Sequence, residues 1–507
     1  MFVGFVAVGL LLIGAAVVLV GRSGSDGSDE VTADRRAAGA PAAAESSGDG
    51  DGAEEADGGQ TAGGGLALEV ESDLLDESVR GFGRLGVAIG QRSGALSNGP
   101  VEQTGSDGSA QPDPAGPVLA ARALFVDGTR PDGPHLGTIA APFHRPIDAL
   151  NVVEPGTTIY LRGGVYNLET HGSNILRRSG TPDAWIHIRP YPGEAVEIIS
   201  GGEWGNGFEF QGSAYATIAG FTFTGRDDSI HGSGVFGKDG SHDIVVSDNY
   251  IEGFGGAGVS FVRSSRITVE RNEVRNNAAR SFFQGSGISL FEAEGPLRPN
   301  GGYANVIRAN HVVGNYNGVP SREGRLTDGN CIIIDFFNET NYQGSTLVEN
   351  NVCVENGGRG VHVFYSSNVV ARNNTLIRNG WSADLFGGRA EMVAARGENI
   401  SFYNNLVINR ENVAAFLNSR AEGVYVNNLV ASGPPDGDGN GLLPAEGALL
   451  GATEAGASLE QFRPLSSSVL IGAGRPDLQS PIDALGERRP RRGTIGALEP
   501  AFATAGP

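Results

Sequence analysis

Lysine is nearly absent from this chain. Of 37 basic residues in 507, one is a lysine, Lys238, and the others are arginine. Cysteine and methionine each occur twice, and tryptophan three times. Two cysteines exclude a disulfide-rich scaffold, a multi-cysteine zinc site and an iron–sulfur protein. Basic charge is also scarce, since 37 Lys and Arg against 58 Asp and Glu leave a net charge of −21. Such a chain lacks the basic stripe that holds nucleic-acid phosphates, so nucleic acid is not an expected partner. What is plentiful is glycine, with 79 residues beside 25 prolines. No Gly-X-Y period runs through them, which excludes collagen.

The chain divides by texture. Met1 to Val20 is apolar and carries no charged side chain, and about 20 such residues span a bilayer as a helix. No basic residue precedes Arg22 and no clean A-x-A site follows, which favours an uncleaved anchor over a signal peptide. Residues 22–117 are rich in Gly, Ala, Ser, Asp and Glu, and cannot bury enough apolar surface to offset the entropy of ordering. The organisation expected is a transmembrane anchor or signal segment at 1–21, a disordered acidic linker at 22–117, a folded domain at 118–500 and a tail at 501–507. The protein is then expected to be membrane-anchored and extracytoplasmic, or secreted if the first segment is cleaved, and monomeric. Residues 1–117 hold 18 acidic and 6 basic side chains. Most of the negative charge therefore lies outside the folded domain and says little about what that domain binds.

The folded part repeats. An asparagine recurs between a strand-like triplet and an apolar residue at Asn249, Asn272, Asn310, Asn351, Asn374, Asn405 and Asn428, and three of the six intervals are 23 residues. The other intervals, 38, 41 and 31, are longer, as a 23-residue unit with loop insertions would give. Alternation such as Ile267-Thr268-Val269-Glu270-Arg271 has period two and marks strands. Three short strands and three turns in 23 residues make one coil of a right-handed parallel β-helix, an all-β solenoid whose stacked coils bury a continuous core. The asparagines are expected to take the left-handed backbone of a tight turn and to hydrogen-bond along the stack.

A second register aligns the runs that start at Gly234, Gly258, Gly287, Cys331 and Gly360. Their second and fourth residues are mostly apolar and point inward, and the first, third and fifth point outward on one sheet. The insertions near 278–304 and 315–328 flank this strand, and bunched insertions mark a binding face in repeat proteins. The outward row and its surroundings offer Lys238, Ser260, Arg263, Ser289, Glu292, Asp335, His362 and Tyr365, preceded by His231, Gln284, Asp328, Asn330 and Arg359. We read this as a mixed polar row, of the kind a carbohydrate site needs. Cys331 and Cys353 read as two small buried thiols in preference to a disulfide. Arg488-Arg489-Pro490-Arg491-Arg492 reads as a solvated cluster.

These features resemble the pectate-lyase-like superfamily of parallel β-helix proteins. The part from Leu124-Phe125-Val126-Asp127-Gly128-Thr129 through Pro155-Gly156-Thr157-Thr158-Ile159-Tyr160-Leu161-Arg162-Gly163-Gly164-Val165-Tyr166 is similar to the opening of family 9 polysaccharide lyases. Gly493 to Leu498 is similar to the segment that caps the last coil. The resemblance covers roughly residues 122–500, and implies a polysaccharide substrate and the β-helix fold. Lyase action on a uronic acid needs its carboxylate neutralised, commonly by Ca²⁺ held on carboxylates, and a base for the C5 proton. Asp328 and Asp335 are the expected metal ligands. The run Asp328-Gly329-Asn330 is similar to a family 9 segment that precedes a catalytic lysine, but Ile332 or Ile333 stands at the lysine position here. The rival chemistry is glycoside hydrolysis by paired carboxylates.

Asp335, Asp328, Glu292 and His362 are accordingly the expected catalytic groups. Arg359, Arg263, Lys238 and Tyr365 are the expected substrate contacts. The expected function is polysaccharide degradation by a lyase or a glycoside hydrolase. A non-catalytic carbohydrate-binding or surface-display solenoid is the alternative.

Overall fold

The structure, a computed structural model, describes residues 119–299, 301–431, 440–442 and 449–501. The anchor 1–21, the linker 22–117 and all but the first residue of the 501–507 tail lie outside the described residues. Among the described residues no helix is long and apolar enough to cross a membrane.

The period-two runs form strands, and every strand pair within the sheets is parallel. Among the described residues the strands make three sheets, of eleven, nine and eleven strands, and each coil contributes one strand to each sheet. The inward residues stack in columns. One runs Val235, Val259, Ile288, Ile332, Val361 and Met392 up the nine-stranded sheet, and all six are fully buried. Each such side chain contributes about 1.5–3 kcal/mol by leaving water, and this continuous column holds one coil on the next. At the N-terminal end the helix Pro146–Val152 buries Pro146, Ala149 and Leu150.

The asparagines form the ladder the spacing predicts. The Nδ2 of Asn249, Asn272, Asn310, Asn351, Asn374 and Asn405 each donates to Oδ1 of the next asparagine at 2.9–3.1 Å. Their backbone role differs from the expectation. The left-handed residue in each turn is the one before the ladder asparagine: Asp248, Arg271, Ala309, Asn350, Asn373, Asn404 and Asn427. The ladder residue itself is held by its side chain, which replaces the missing backbone partner at a buried corner.

A second ladder, unread in the sequence, runs five residues later through Asn277, Asn315, Asn356 and Asn379. It ends on a carboxylate. Glu391 accepts from the backbone N–H of Asn379 at 2.8 Å and from its Nδ2 at 2.7 Å. Glu391 is fully buried, and burial pushes its pKa up to about 7.

Three further expectations need correction. Cys331 and Cys353 form a disulfide, with Cα atoms 5.7 Å apart. They lie at opposite ends of a single turn of chain, and one turn of the solenoid brings such positions together. The segment containing Gly493 to Leu498 covers a flank of the solenoid and does not cap its last coil. Ile495, Ala497, Leu498, Phe462 and Leu470 pack on Val313, Val352, Val354, Ile377, Leu406 and Ile408, apolar side chains that would otherwise face water. Within the basic run, Arg489 is buried, donating to Glu499 at 2.5 Å and to Asn350 at 3.0 Å. It pins that segment to the turns of the solenoid.

Candidate active site on the nine-stranded sheet

A groove with a cavity of about 380 Å³ lies on the outer face of the nine-stranded sheet. Its floor is set by strand register. In one column Phe236, Ser260, Ser289, Ile333, His362, Val393 and Leu417 follow one another, and in the next Phe291, Asp335, Phe364 and Ala395 do so. All of them line the cavity. A wall is built by residues that precede the strands of this sheet: Trp204, His231, Phe283, Gln284, Asp328, Arg359 and Phe386. Trp204, His231 and Phe283 form one aromatic cluster with ring centroids 4.7–5.6 Å apart.

The expected polar row is therefore mostly an apolar floor. The alternation already placed Phe236, Val262, Phe291, Ile333 and Phe364 at outward positions. An outward position in a half-exposed sheet is ordinarily polar, and here five such positions are apolar.

Asp335 sits in register between Phe291 and Phe364. Phe336 follows it in a left-handed conformation and lays its ring 5.6 Å from Phe291 and 5.4 Å from Phe364. This aromatic setting explains the acidity of Asp335. Burial, and then the negative charges of Asp328 and Glu292, push its carboxyl well above the usual carboxylate range. A group so placed is pushed toward its protonated, uncharged form. Its Oδ1 has no hydrogen-bond partner among the described residues.

His362 lies on the adjacent strand, two residues along from the partner of Asp335. Strand spacing and rise put the two positions roughly 8 Å apart on one face. Burial, and then the nearby Arg359 cation, push the imidazole well below its ordinary range, so it is neutral. Its Nδ1 is buried without a partner among the described residues.

Asp328 and Arg359 form the back of the site. Asp328 accepts from Thr327 Oγ1 at 2.9 Å and from Asn330 Nδ2 at 2.8 Å. Burial raises its pKa, against the pull of Arg359. Asn330 also accepts the backbone N–H of Arg359 at 2.8 Å. Arg359 donates to the carbonyls of Thr327 and Phe386, both at 2.8 Å. Burial lowers its pKa to about 10, so it stays a cation.

The other expected residues lie outside this cavity. Lys238 pairs with Glu209 at 2.9 Å, and Arg263 with Glu292 at 2.8 Å. The Tyr365 ring packs edge-on against Phe336 at 5.4 Å. Glu292 acts on the groove only through its charge near Asp335. Arg263, Glu292 and Tyr365 each follow the end of a strand, where the chain turns away from the groove floor in a left-handed conformation, whereas Lys238 is the last residue of its strand and is held by Glu209.

The expected Ca²⁺ does not suit the donors present. Calcium takes six to eight oxygen ligands. Both oxygens of Asp328 already accept hydrogen bonds, and an arginine stands beside it. Among the described residues no group of three or more His, Cys, Asp or Glu side chains could hold a metal ion.

Fold and groove define the chain as a parallel β-helix protein with a groove on one sheet. Residues 197–335 match the family model described as a right handed beta helix region. The chain is 42% identical over 90 residues to pectate lyase PEL9 of Emericella nidulans, covering 17% of this chain and 20% of that protein. It thus spans about a fifth of the length of that curated relative. Among solved structures it is similar to pectate lyase Pel9A, at 16% identity over 76% of this chain and 97% of that one, with a TM-score of 0.46. An alginate lyase from Paenibacillus sp. is similar at 16% identity, covering 64% and 97%, with a TM-score of 0.34.

Proposed function

We propose that this protein is a polysaccharide-degrading enzyme whose reaction takes place in the groove, with Asp335 as general acid and His362 as general base. One observation carries this reading. Two buried ionisable groups share an apolar cavity, each is pushed by burial toward its neutral form, and each presents an unsatisfied polar atom. A protonated carboxyl gives its proton to a leaving glycosidic oxygen, and a neutral imidazole takes one from carbon or water. If the proton comes from sugar C5, the result is β-elimination. If it comes from water, the result is hydrolysis. Arg359 and Asp328 position the wall, and no step is assigned to a metal.

The test is incubation with a panel of glycans. New reducing ends without ultraviolet absorbance identify a hydrolase, and an unsaturated product identifies a lyase. The reading is lost if no glycan is cleaved and Asp335→Asn behaves as the native protein does. The apolar floor also favours a second reading, a glycan-binding solenoid without catalysis. In that case binding survives Asp335→Asn unchanged.

The apolar segment 1–21 supports action outside the cytoplasm at a membrane. So does the Cys331–Cys353 disulfide, since such bonds persist in oxidising compartments. Protease accessibility on intact cells tests this placement.

A further inference from the structure

The groove has little with which to meet an acidic sugar. Its ionisable lining among the described residues is His231, Asp328, Asp335, Arg359 and His362. Arg359 is the one permanent cation in that set, and its charge is largely matched from within, although its buried Nε has no partner among the described residues. Its terminal nitrogens bond to two backbone carbonyls, and its charge faces Asp328. Lys238 and Arg263 are drawn off to Glu209 and Glu292. Arg322 and Arg325 stand at the wall, stacked over the rings of Phe282 and Phe386 at 4.5 and 4.2 Å. Against this, the floor beneath Asp335 and His362 is Phe291, Ile333, Phe364 and Val393.

A carboxylate seated on that floor would lose its water among apolar side chains, and the one cation lining the cavity, Arg359, already faces Asp328. Such transfer is among the costliest in proteins unless a partner is supplied. The apolar faces of a pyranose ring, by contrast, suit aromatic side chains, and its hydroxyls can reach the unsatisfied atoms of Asp335 and His362.

We propose that the sugar seated at Asp335 and His362 is uncharged: a neutral pyranose, or a uronate whose carboxyl is esterified. This inference rests on the reading of the groove as the place of cleavage.

The experiment uses the full chain and matched polymers. Polygalacturonate is presented fully methyl-esterified and fully de-esterified, beside neutral xylan and glucan, and cleavage and binding are measured for each. An uncharged polymer should be turned over at least 100-fold faster than the de-esterified one. The neutral and esterified arms tell which source of uncharged sugar is used. De-esterified polymer cleaved as fast as any other overturns the inference and leaves the groove reading intact. If no polymer is cleaved, and Asp335→Asn binds them as the native protein does, both fall together.

Discussion

His362 lies in register with Ile333, one coil further on, on the outer face of the nine-stranded sheet. Ile333 is one of the two residues standing where the family 9 resemblance expects a lysine, and its side chain faces the groove. The imidazole is thus one strand spacing, about 4.8 Å, from the backbone position of the missing base. A neutral imidazole beside that position is a chemically sufficient proton acceptor, and it needs no lysine in a chain that has only one.

Asp335→Asn should lower kcat by about 100- to 10,000-fold, the usual weight of one general acid or base. The carboxyl stacks between phenylalanines and has an oxygen without a partner, so an isosteric amide should leave the melting temperature near native. Equal turnover by the variant would remove Asp335 from the chemistry.

The pH profile of kcat/KM should be bell-shaped. The acid limb belongs to His362, which must be neutral to accept a proton. Its pKa is held well below 6.5, so activity should persist to lower pH than for an ordinary histidine. The alkaline limb belongs to Asp335, whose pKa is raised well above 3.8, and activity falls as it ionises. A profile still rising beyond pH 9 would exclude Asp335 as the acid.

Chelation should not change the rate. The donors around Asp328 and Asp335 do not suit calcium, so treatment with EDTA followed by dialysis should leave kcat within twofold of native. Loss of activity restored by added Ca²⁺ would contradict this.

Reducing the Cys331–Cys353 bond should cost roughly 3 kcal/mol, the loop-closure value for 22 residues of separation. Denaturant unfolding of the Cys331→Ala, Cys353→Ala double variant measures it. A loss under about 1 kcal/mol would refute the loop-closure account of this bond.

Glu391 makes stability depend on pH in a stated direction. Its folded pKa is about 7 against 4.5 for the ordinary group. The protonated carboxyl's contribution is therefore complete below about pH 4.5 and is lost as pH rises through about 7. The difference between native protein and Glu391→Gln should change by on the order of 3 kcal/mol between pH 4.5 and 8, with the variant gaining in relative stability as pH rises. Parallel stability curves for the two would refute the assignment.

Much of this protein was legible in its sequence, for a physical reason. A solenoid repeats one local solution, so the 23-residue interval and the period-two alternation state the coil, its sheets and the ladder from Asn249 to Asn428 without knowledge of distant contacts. The same alternation marked Asp335 and His362 as outward neighbours on adjacent coils. The second ladder was legible in principle from Asn277, Asn315, Asn356 and Asn379, each five residues after a member of the first.

What sequence could not decide depends on side chains meeting across coils and insertions. Whether Cys331 and Cys353 bond depends on how one turn of the solenoid closes. Whether Arg263, Lys238 and Arg359 are available to a ligand depends on Glu292, Glu209 and Asp328, which reach them from other coils or loops. The flank covered by Ile495 to Leu498, and the burial of Arg489, arise because apolar residues on the third sheet need a cover, and no local rule says which distant segment supplies it. The repeat by itself determined the scaffold, since stacking is a nearest-neighbour matter. Only the tertiary structure decided the setting of Asp335, because Phe291 and Phe364 flank it from neighbouring coils, Phe336 packs between them, and burial there pushes its carboxyl toward the protonated form.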